Sequence, residues 1–213
     1  MSGISVQNVG LTINKEIILE NICLEVASGE IVGIVGRNGS GKSMLMKCIC
    51  GFITPTEGEI RVNNIMVGKE ADFPTSVGII IETPGFIPYY SGYRNLKLLA
   101  ELNGKMKREQ IKESMLAVGL DPKLRRPVRK YSLGMRQRLG IAQAIMEKPE
   151  VMILDEPFNG LDSDGASEMR NLLLQYKKQG KAMLIASHIS EDIEILCDRV
   201  IRLEHGHMAT YCQ

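Results

Sequence analysis

Residues 30–49 read Glu30-Ile31-Val32-Gly33-Ile34-Val35, then Gly36-Arg37-Asn38-Gly39-Ser40-Gly41-Lys42-Ser43, then Met44-Leu45-Met46-Lys47-Cys48-Ile49. The first part is a short apolar run rich in β-branched residues, as a buried strand would be, and the last part has no Gly or Pro and suits a helix. The middle fits G-x-x-x-x-G-K-[ST] at every fixed position, in the strand-loop-helix context that this pattern requires. Gly36, Gly39 and Gly41 lack a Cβ, so the backbone can turn successive N–H groups toward phosphate oxygens, with Arg37, Asn38 and Ser40 completing the loop. A helix N-terminus adds partial positive charge at the same point. Lys42 is expected to reach the β- and γ-phosphates and Ser43 to ligate Mg²⁺, so the stretch is a cradle for a nucleoside triphosphate.

The chain has 213 residues, enough to bury one good core. With 44% hydrophobic and 24% charged residues and no low-complexity tract, it reads as a compact globular protein. Twenty-six basic residues against 25 acidic ones argue against a surface built for nucleic-acid phosphate. No apolar stretch approaches the roughly 20 residues of a membrane span, and Met1 to Val6 carry no export signal. Cys23, Cys48, Cys50, Cys197 and Cys212 have neither disulfide-framework nor metal-ligand spacing, so reduced and mostly buried thiols are expected.

Outward from the loop, alternation in residues 4–27 predicts antiparallel strands, and Ser28-Gly29-Glu30 a turn. Further strands are expected at Ile60 to Val62, Val77 to Ile81, Val151 to Leu154, Ala182 to Ala186 and Val200 to Leu203. Between them, Leu96, Leu98, Leu99, Leu102, Ile111, Met115, Leu116 and Val118 recur at helical spacing, which predicts a helical insertion. Another helix is expected over 132–147 with Ser132 as N-cap, and others near 165–179 and 190–197. His205-Gly206-His207 reads as a turn near the end of the chain. Strands alternating with helices around a phosphate loop imply an α/β sheet with a mainly parallel core.

Two carboxylates, Asp155 and Glu156, end the strand that starts at Val151, on the sheet edge where open α/β folds bind ligands. Asp155 is suited to hold Mg²⁺ and Glu156 to orient and deprotonate a water. Ser187-His188 ends a second strand on the same edge, from which His188 can sense a γ-phosphate.

These pieces resemble the nucleotide-binding subunit of ATP-binding-cassette (ABC) transporters, a P-loop NTPase fold, over nearly the whole chain. Gly36 to Ser43 matches Walker A, Val151 to Glu156 Walker B with its catalytic glutamate, and His188 the switch histidine. Tyr131-Ser132-Leu133-Gly134-Met135-Arg136-Gln137 is similar to the L-S-G-G-Q signature, and Asn159-Gly160-Leu161-Asp162 to the D-loop. The resemblance implies one ABC ATPase domain over residues 1–213, with the helical subdomain at about 83–145 and an antiparallel β subdomain. It further implies a head-to-tail dimer, homo- or heteromeric, in which Ser132 and Gly134 of one subunit meet ATP held by the other. A separate transmembrane permease would anchor the ATPase to the inner face of the cell membrane, on the cytoplasmic side.

Three departures carry information. No Tyr, Phe or Trp occurs before Phe52, so the adenine-stacking position, near Ile13, is aliphatic. Leu133 and Met135 replace a glycine and a glutamine of the signature. Glu82 stands where the family has its Q-loop glutamine, and Glu82-Thr83-Pro84-Gly85-Phe86 resembles the branch of bacitracin-resistance and lantibiotic-immunity exporters; an acidic side chain there can also ligate Mg²⁺. Phe86, Ile87, Tyr89, Tyr90 and Tyr93 follow, either as a groove for a membrane partner or as core of the helical subdomain. Basic residues from Lys123 to Lys130 read as a solvated loop. The other class of function is an ABC-type ATPase acting on a soluble complex; this chain lacks the second cassette or long coiled coil that ribosome and repair factors of that kind carry.

Overall fold

The computed structural model describes residues 3–104 and 106–210; Cys212 and the first two residues lie outside the described residues. The elements run β1 (Ile4–Ile13), β2 (Glu16–Val26), β3 (Ile31–Val35), α1 (Lys42–Ile49), β4 (Glu57–Val62), β5 (Ile65–Met66) and β6 (Val77–Ile80). Then come α2 (Gly92–Asn103), α3 (Arg108–Ala117), α4 (Leu133–Ile145), β7 (Val151–Asp155), α5 (Ser163–Lys178), β8 (Ala182–Ala186), α6 (Ser190–Leu196), β9 (Arg199–Glu204) and β10 (His207–Thr210).

Two sheets organise the molecule. An antiparallel sheet has the order β2-β1-β4-β5, and the larger sheet the order β10-β9-β3-β8-β7-β6, parallel except where β10 pairs with β9. The central strands β7 and β8 are buried at every residue, as strands covered on both faces must be. Alternate side chains enter two different cores. Met152 and Leu154 of β7, with Met183 and Ile185 of β8, join Leu96, Met115, Leu139 and Leu173 of the helices. Val151 and Ile153, with Leu184, join Leu45, Met46 and Ile49 of α1 and the apolar face of β1 and β2. The parallel sheet is thus clamped between helices on one side and α1 with the antiparallel sheet on the other. Each fully buried aliphatic side chain contributes roughly 1.5–3 kcal/mol.

The helical insertion forms as expected: among the described residues no strand of either sheet falls between Ile80 and Val151. Its buried stripe is narrower than the apolar spacing suggests. Leu96 and Ala100, then Ile111, Met115 and Val118, face inward, whereas Leu102 is 87% and Leu116 62% exposed. Leu102 lies six residues from Leu96 and Leu116 five from Ile111, which at 100° per residue turns both well off the buried face.

At the end of the chain His205 and Gly206 form the turn, with φ of 46° and 80°, and His207 already belongs to β10. No group of three or more potential metal ligands occurs among the described residues. Burial pushes the Cys48 thiol up to about 11 and those of Cys50 and Cys197 up to about 12, while Cys23 is exposed.

Candidate nucleotide site

Register brings the chemistry to one edge. Ile34 and Asp155 both pair with Ala186, so the chain leaves β3, β8 and β7 at one level, and residues 36–41, 187–189 and 156–162 form adjacent loops. Adjacent parallel strands are the reason: their carboxyl ends point the same way.

The loop from Gly36 to Gly41 needs its glycines. A Cβ on Gly36 would stand 2.3 Å from the carbonyl oxygen of Leu203 and 2.6 Å from Ser40 Oγ. Gly41, at φ 106°, is the N-cap of α1 and offers no side-chain cap, so the first-turn N–H groups remain available to an anion. The turn before β10 braces the loop from behind: the Gly206 N–H donates to the Ser40 carbonyl at 3.1 Å, and the Glu20 N–H to the Gly206 carbonyl at 2.9 Å.

Lys42 arches back over this loop, its Nζ donating to the carbonyls of Gly36 at 2.7 Å and Arg37 at 3.1 Å. Ser43 Oγ donates to Asp155 Oδ2 at 2.6 Å. This all-oxygen pair, at a helix N-terminus and a sheet edge, fits Mg²⁺, which typically takes one or two protein oxygens together with phosphate and water.

Glu156 leaves β7 in the left-handed region, at φ 49°. Its N–H donates to the Ala186 carbonyl at 2.8 Å, and its Oε2 lies 2.7 Å from His188 Nδ1. The His188 loop is fixed from below. Ser187 Oγ donates to Asp192 Oδ2 at 2.9 Å, and Arg170 Nε stands 3.2 Å from Asp192 Oδ1. Burial raises the pKa of the Asp192 carboxyl, against the lowering effects of Ser187 and Arg170. Neither Arg170 nor Asp192 stood out in the sequence; the only available signal was an acid in the first turn after Ser187-His188.

Other expected residues are placed differently. The Glu82 carboxylate, at φ 59°, pairs with Lys47 at 2.5 Å, one helical turn along α1 from Ser43, and does not meet Ser43 or Asp155. Asp162 caps α5, its Oδ1 accepting the Gly165 N–H at 2.9 Å. Ser132 caps α4 as expected, accepting the Met135 N–H at 3.1 Å. Around it, Leu133 packs on Gly160, and a Cβ on Gly134 would meet the Gly160 carbonyl at 3.1 Å. Among the described residues no hydrogen bond joins Ser132 or Gly134 to residues 36–43.

Two surfaces flank the loop. Ile13 and Ile17, 37% and 59% exposed, sit near the tip of the β1–β2 hairpin, whose second strand passes beside Gly41. A cavity of about 800 Å³ opens between residues 35–40, His188 and the end of β9; Lys42, Ser43, Asp155 and Glu156 do not line it.

The aromatic stretch divides. Phe86 and Tyr93 pack against the helical core, while Ile87 is 43% and Tyr89 71% exposed. Buried Asn95 holds the turn, accepting the Ile87 N–H at 2.7 Å and donating to the Ile87 carbonyl. The basic run is solvated as expected, with Lys123, Arg125, Arg126, Arg129 and Lys130 all exposed, and two of its guanidinium groups lie against rings, Arg129 5.1 Å from that of Tyr89 and Arg126 5.7 Å from that of Tyr131.

The family model described as ABC transporter matches residues 19–159. The chain belongs to that family. This cassette is 42% identical over 207 residues to an uncharacterized ABC transporter ATP-binding protein, YybJ, of Bacillus subtilis, covering 97% of this chain and 95% of that one. It is 39% identical to the bacitracin transport ATP-binding protein BcrA of Enterococcus faecalis, over 96% of this chain and 67% of BcrA. It is 36% identical to the lantibiotic transport ATP-binding protein SrtF of Streptococcus pyogenes, over 92% and 84%. Among solved structures, the dimeric post-hydrolysis cassette MJ0796 bound to ADP and Pi superposes with a TM-score of 0.84 at 26% identity, covering 96% of each chain. The protein is an ATPase, the ATP-binding subunit of an ABC transporter. No helix among the described residues is long and apolar enough to cross a membrane.

Proposed function

We propose that this cassette powers export of an antibiotic peptide or similar amphiphile through a separate transmembrane permease, by ATP-dependent closure of a dimer of ATPase subunits at the cytoplasmic face of the membrane. The observation that carries the dimer is the separation within one chain: the phosphate loop, Asp155, Glu156 and His188 share an edge, while the serine-capped start of α4 packs on residues 160–161 and, among the described residues, no hydrogen bond joins Ser132 or Gly134 to that loop. A second subunit supplies Ser132 and Gly134 to the triphosphate. The names of BcrA and SrtF support the cargo class.

In this reading residues 1–213 work as one ATPase domain, with 83–145 as its helical part. Backbone N–H groups of Arg37 to Ser43 bind the phosphates, and Lys42 exchanges its two carbonyl acceptors for β- and γ-phosphate oxygens. Ser43 and Asp155 would hold Mg²⁺, with Glu82 as a further candidate oxygen, and the ion would supply neutralisation of charge on the β- and γ-phosphates. Glu156 accepts the proton of the attacking water, His188 meets the γ-phosphate, and Asp162 keeps the D-loop in place through α5. Ile13 and Ile17 give adenine an aliphatic seat. No nucleic-acid partner is needed.

Two outcomes follow. With Cys23 and Cys212 replaced by serine, Ser132→Cys and Asn38→Cys on partner chains are joined by a short bis-maleimide only when ATP is present. Absence of that crosslink at saturating ATP removes the shared site. Because Ile87 and Tyr89 are the exposed part of the aromatic stretch, Ile87→Ala with Tyr89→Ala releases the membrane partner in detergent pull-downs while basal ATPase stays unchanged; retention of the partner assigns docking elsewhere.

A further inference from the structure

The geometry points to Gln137 as a positioning residue for Glu156, one that ties the signature helix serving the partner's ATP to the general base serving the chain's own. This inference rests on the roles proposed above for Ser132 and Glu156.

Glu156 holds a backbone conformation that residues with a side chain rarely adopt, at φ 49°. Strain of that kind persists only where the surroundings impose it. On one side the Glu156 N–H is tied to β8 through the Ala186 carbonyl. On the other, Gln137 Nε2 donates to the Glu156 carbonyl at 3.1 Å and to the Pro157 carbonyl at 2.9 Å. The Glu156 carbonyl also accepts the Asn159 N–H at 3.2 Å, which closes the turn locally without reference to α4. The backbone from which the Glu156 carboxylate reaches His188 is therefore held at three points, by β8, by the local turn and by Gln137 of α4.

Gln137 is buried, 9% exposed, on a helix whose neighbouring buried positions are Leu139, Gly140 and Ile141. A buried amide is unfavourable unless hydrogen-bonded, so an apolar residue would suit this position if only packing mattered. Its two donated bonds span consecutive carbonyls at the point where the chain leaves the sheet. The same helix starts at Ser132, five residues earlier, and its first turn lies on the 160–161 segment through Leu133 and Gly134. A helix is stiff over this length. Capture of the partner's γ-phosphate at Ser132 and the aim of Glu156 are consequently features of one rigid piece, which is how two sites come to share a coupling free energy.

The test compares the full-length parent with Gln137→Met, which fills the space without a donor, Gln137→Lys, which keeps an N–H donor of similar reach, and Glu156→Gln. Gln137→Met is expected to lower kcat by about 10- to 100-fold, the size of effect that a small misplacement of a catalytic group produces. The KM for ATP and the melting temperature should stay at parental values, and the ATP-bound dimer should accumulate on gel filtration. Gln137→Lys recovers most of the lost turnover. If Gln137→Met does not fold, Gln137→Glu, equal in size with an acceptor where Nε2 stood, carries the same expectation.

Parental kcat in a folded Gln137→Met, beside an inactive Glu156→Gln, overturns the inference and leaves the proposed function standing. So does a joint change of kcat, KM and melting temperature with no recovery in Gln137→Lys, which marks a packing role. Parental turnover by Glu156→Gln instead sinks the underlying reading and this inference with it.

Discussion

Glu156→Gln lowers steady-state ATP hydrolysis by about two to four orders of magnitude, the range that a general base contributes. The substitution keeps the size of the side chain and its reach to His188, 2.7 Å away in the parent, but removes the carboxylate that takes the proton. Nothing at the phosphate loop changes, so ATP still binds and the closed dimer persists. Phosphate release assays and gel filtration with ATP report the two halves of this expectation. Turnover at the parental rate would transfer the base to another group, and loss of the dimer along with the activity would mean that Glu156 organises the fold at the end of β7.

Lys42→Ala weakens ATP binding by about 10²–10⁴-fold. A charge-assisted hydrogen bond is worth about 1.5–3 kcal/mol, and Lys42 is assigned one to each of two phosphates, giving about 3–6 kcal/mol. The fold itself should survive. In the absence of nucleotide Lys42 bonds only to the carbonyls of Gly36 and Arg37, on a partly solvated loop where water can replace it. Calorimetric titration with ATP measures the affinity and a thermal melt the stability; unaltered affinity would contradict the assignment of Lys42 to the phosphates.

The elements that the sequence made legible are those whose identity is local. Val151 to Leu154 and Ala182 to Ala186 are continuous apolar runs because both faces of the sheet are covered, and the run itself carries the signal. Ser132 announced a helix start because its hydroxyl serves an N–H three residues away. The short β5 and β10 were missed because a two-residue strand and a strand begun by a histidine have no periodicity to read. In the site, the phosphate loop, Asp155, Glu156 and His188 followed from position at a strand end. Gln137, Arg170 and Lys47 did not, since each acts on a residue far off in the chain: Gln137 on Glu156, Arg170 on Asp192, Lys47 on Glu82; Asp192 is only five residues from Ser187, but an acid in a first helical turn does not by itself announce a partner. The aromatic stretch shows the same limit. Composition placed apolar mass between Phe86 and Tyr93, but only the fold decides that Phe86 turns in and Tyr89 out.

The turn before β10 gives the end of the chain an influence on nucleotide handling. Gly206 stands at φ 80°, a Cβ there would strike the Ile18 carbonyl at 2.4 Å, and its N–H holds the Ser40 carbonyl. Trimming the protein back to β9, or grafting a bulky fusion tightly onto that corner, would slacken the phosphate grip from outside without altering any residue that touches ATP.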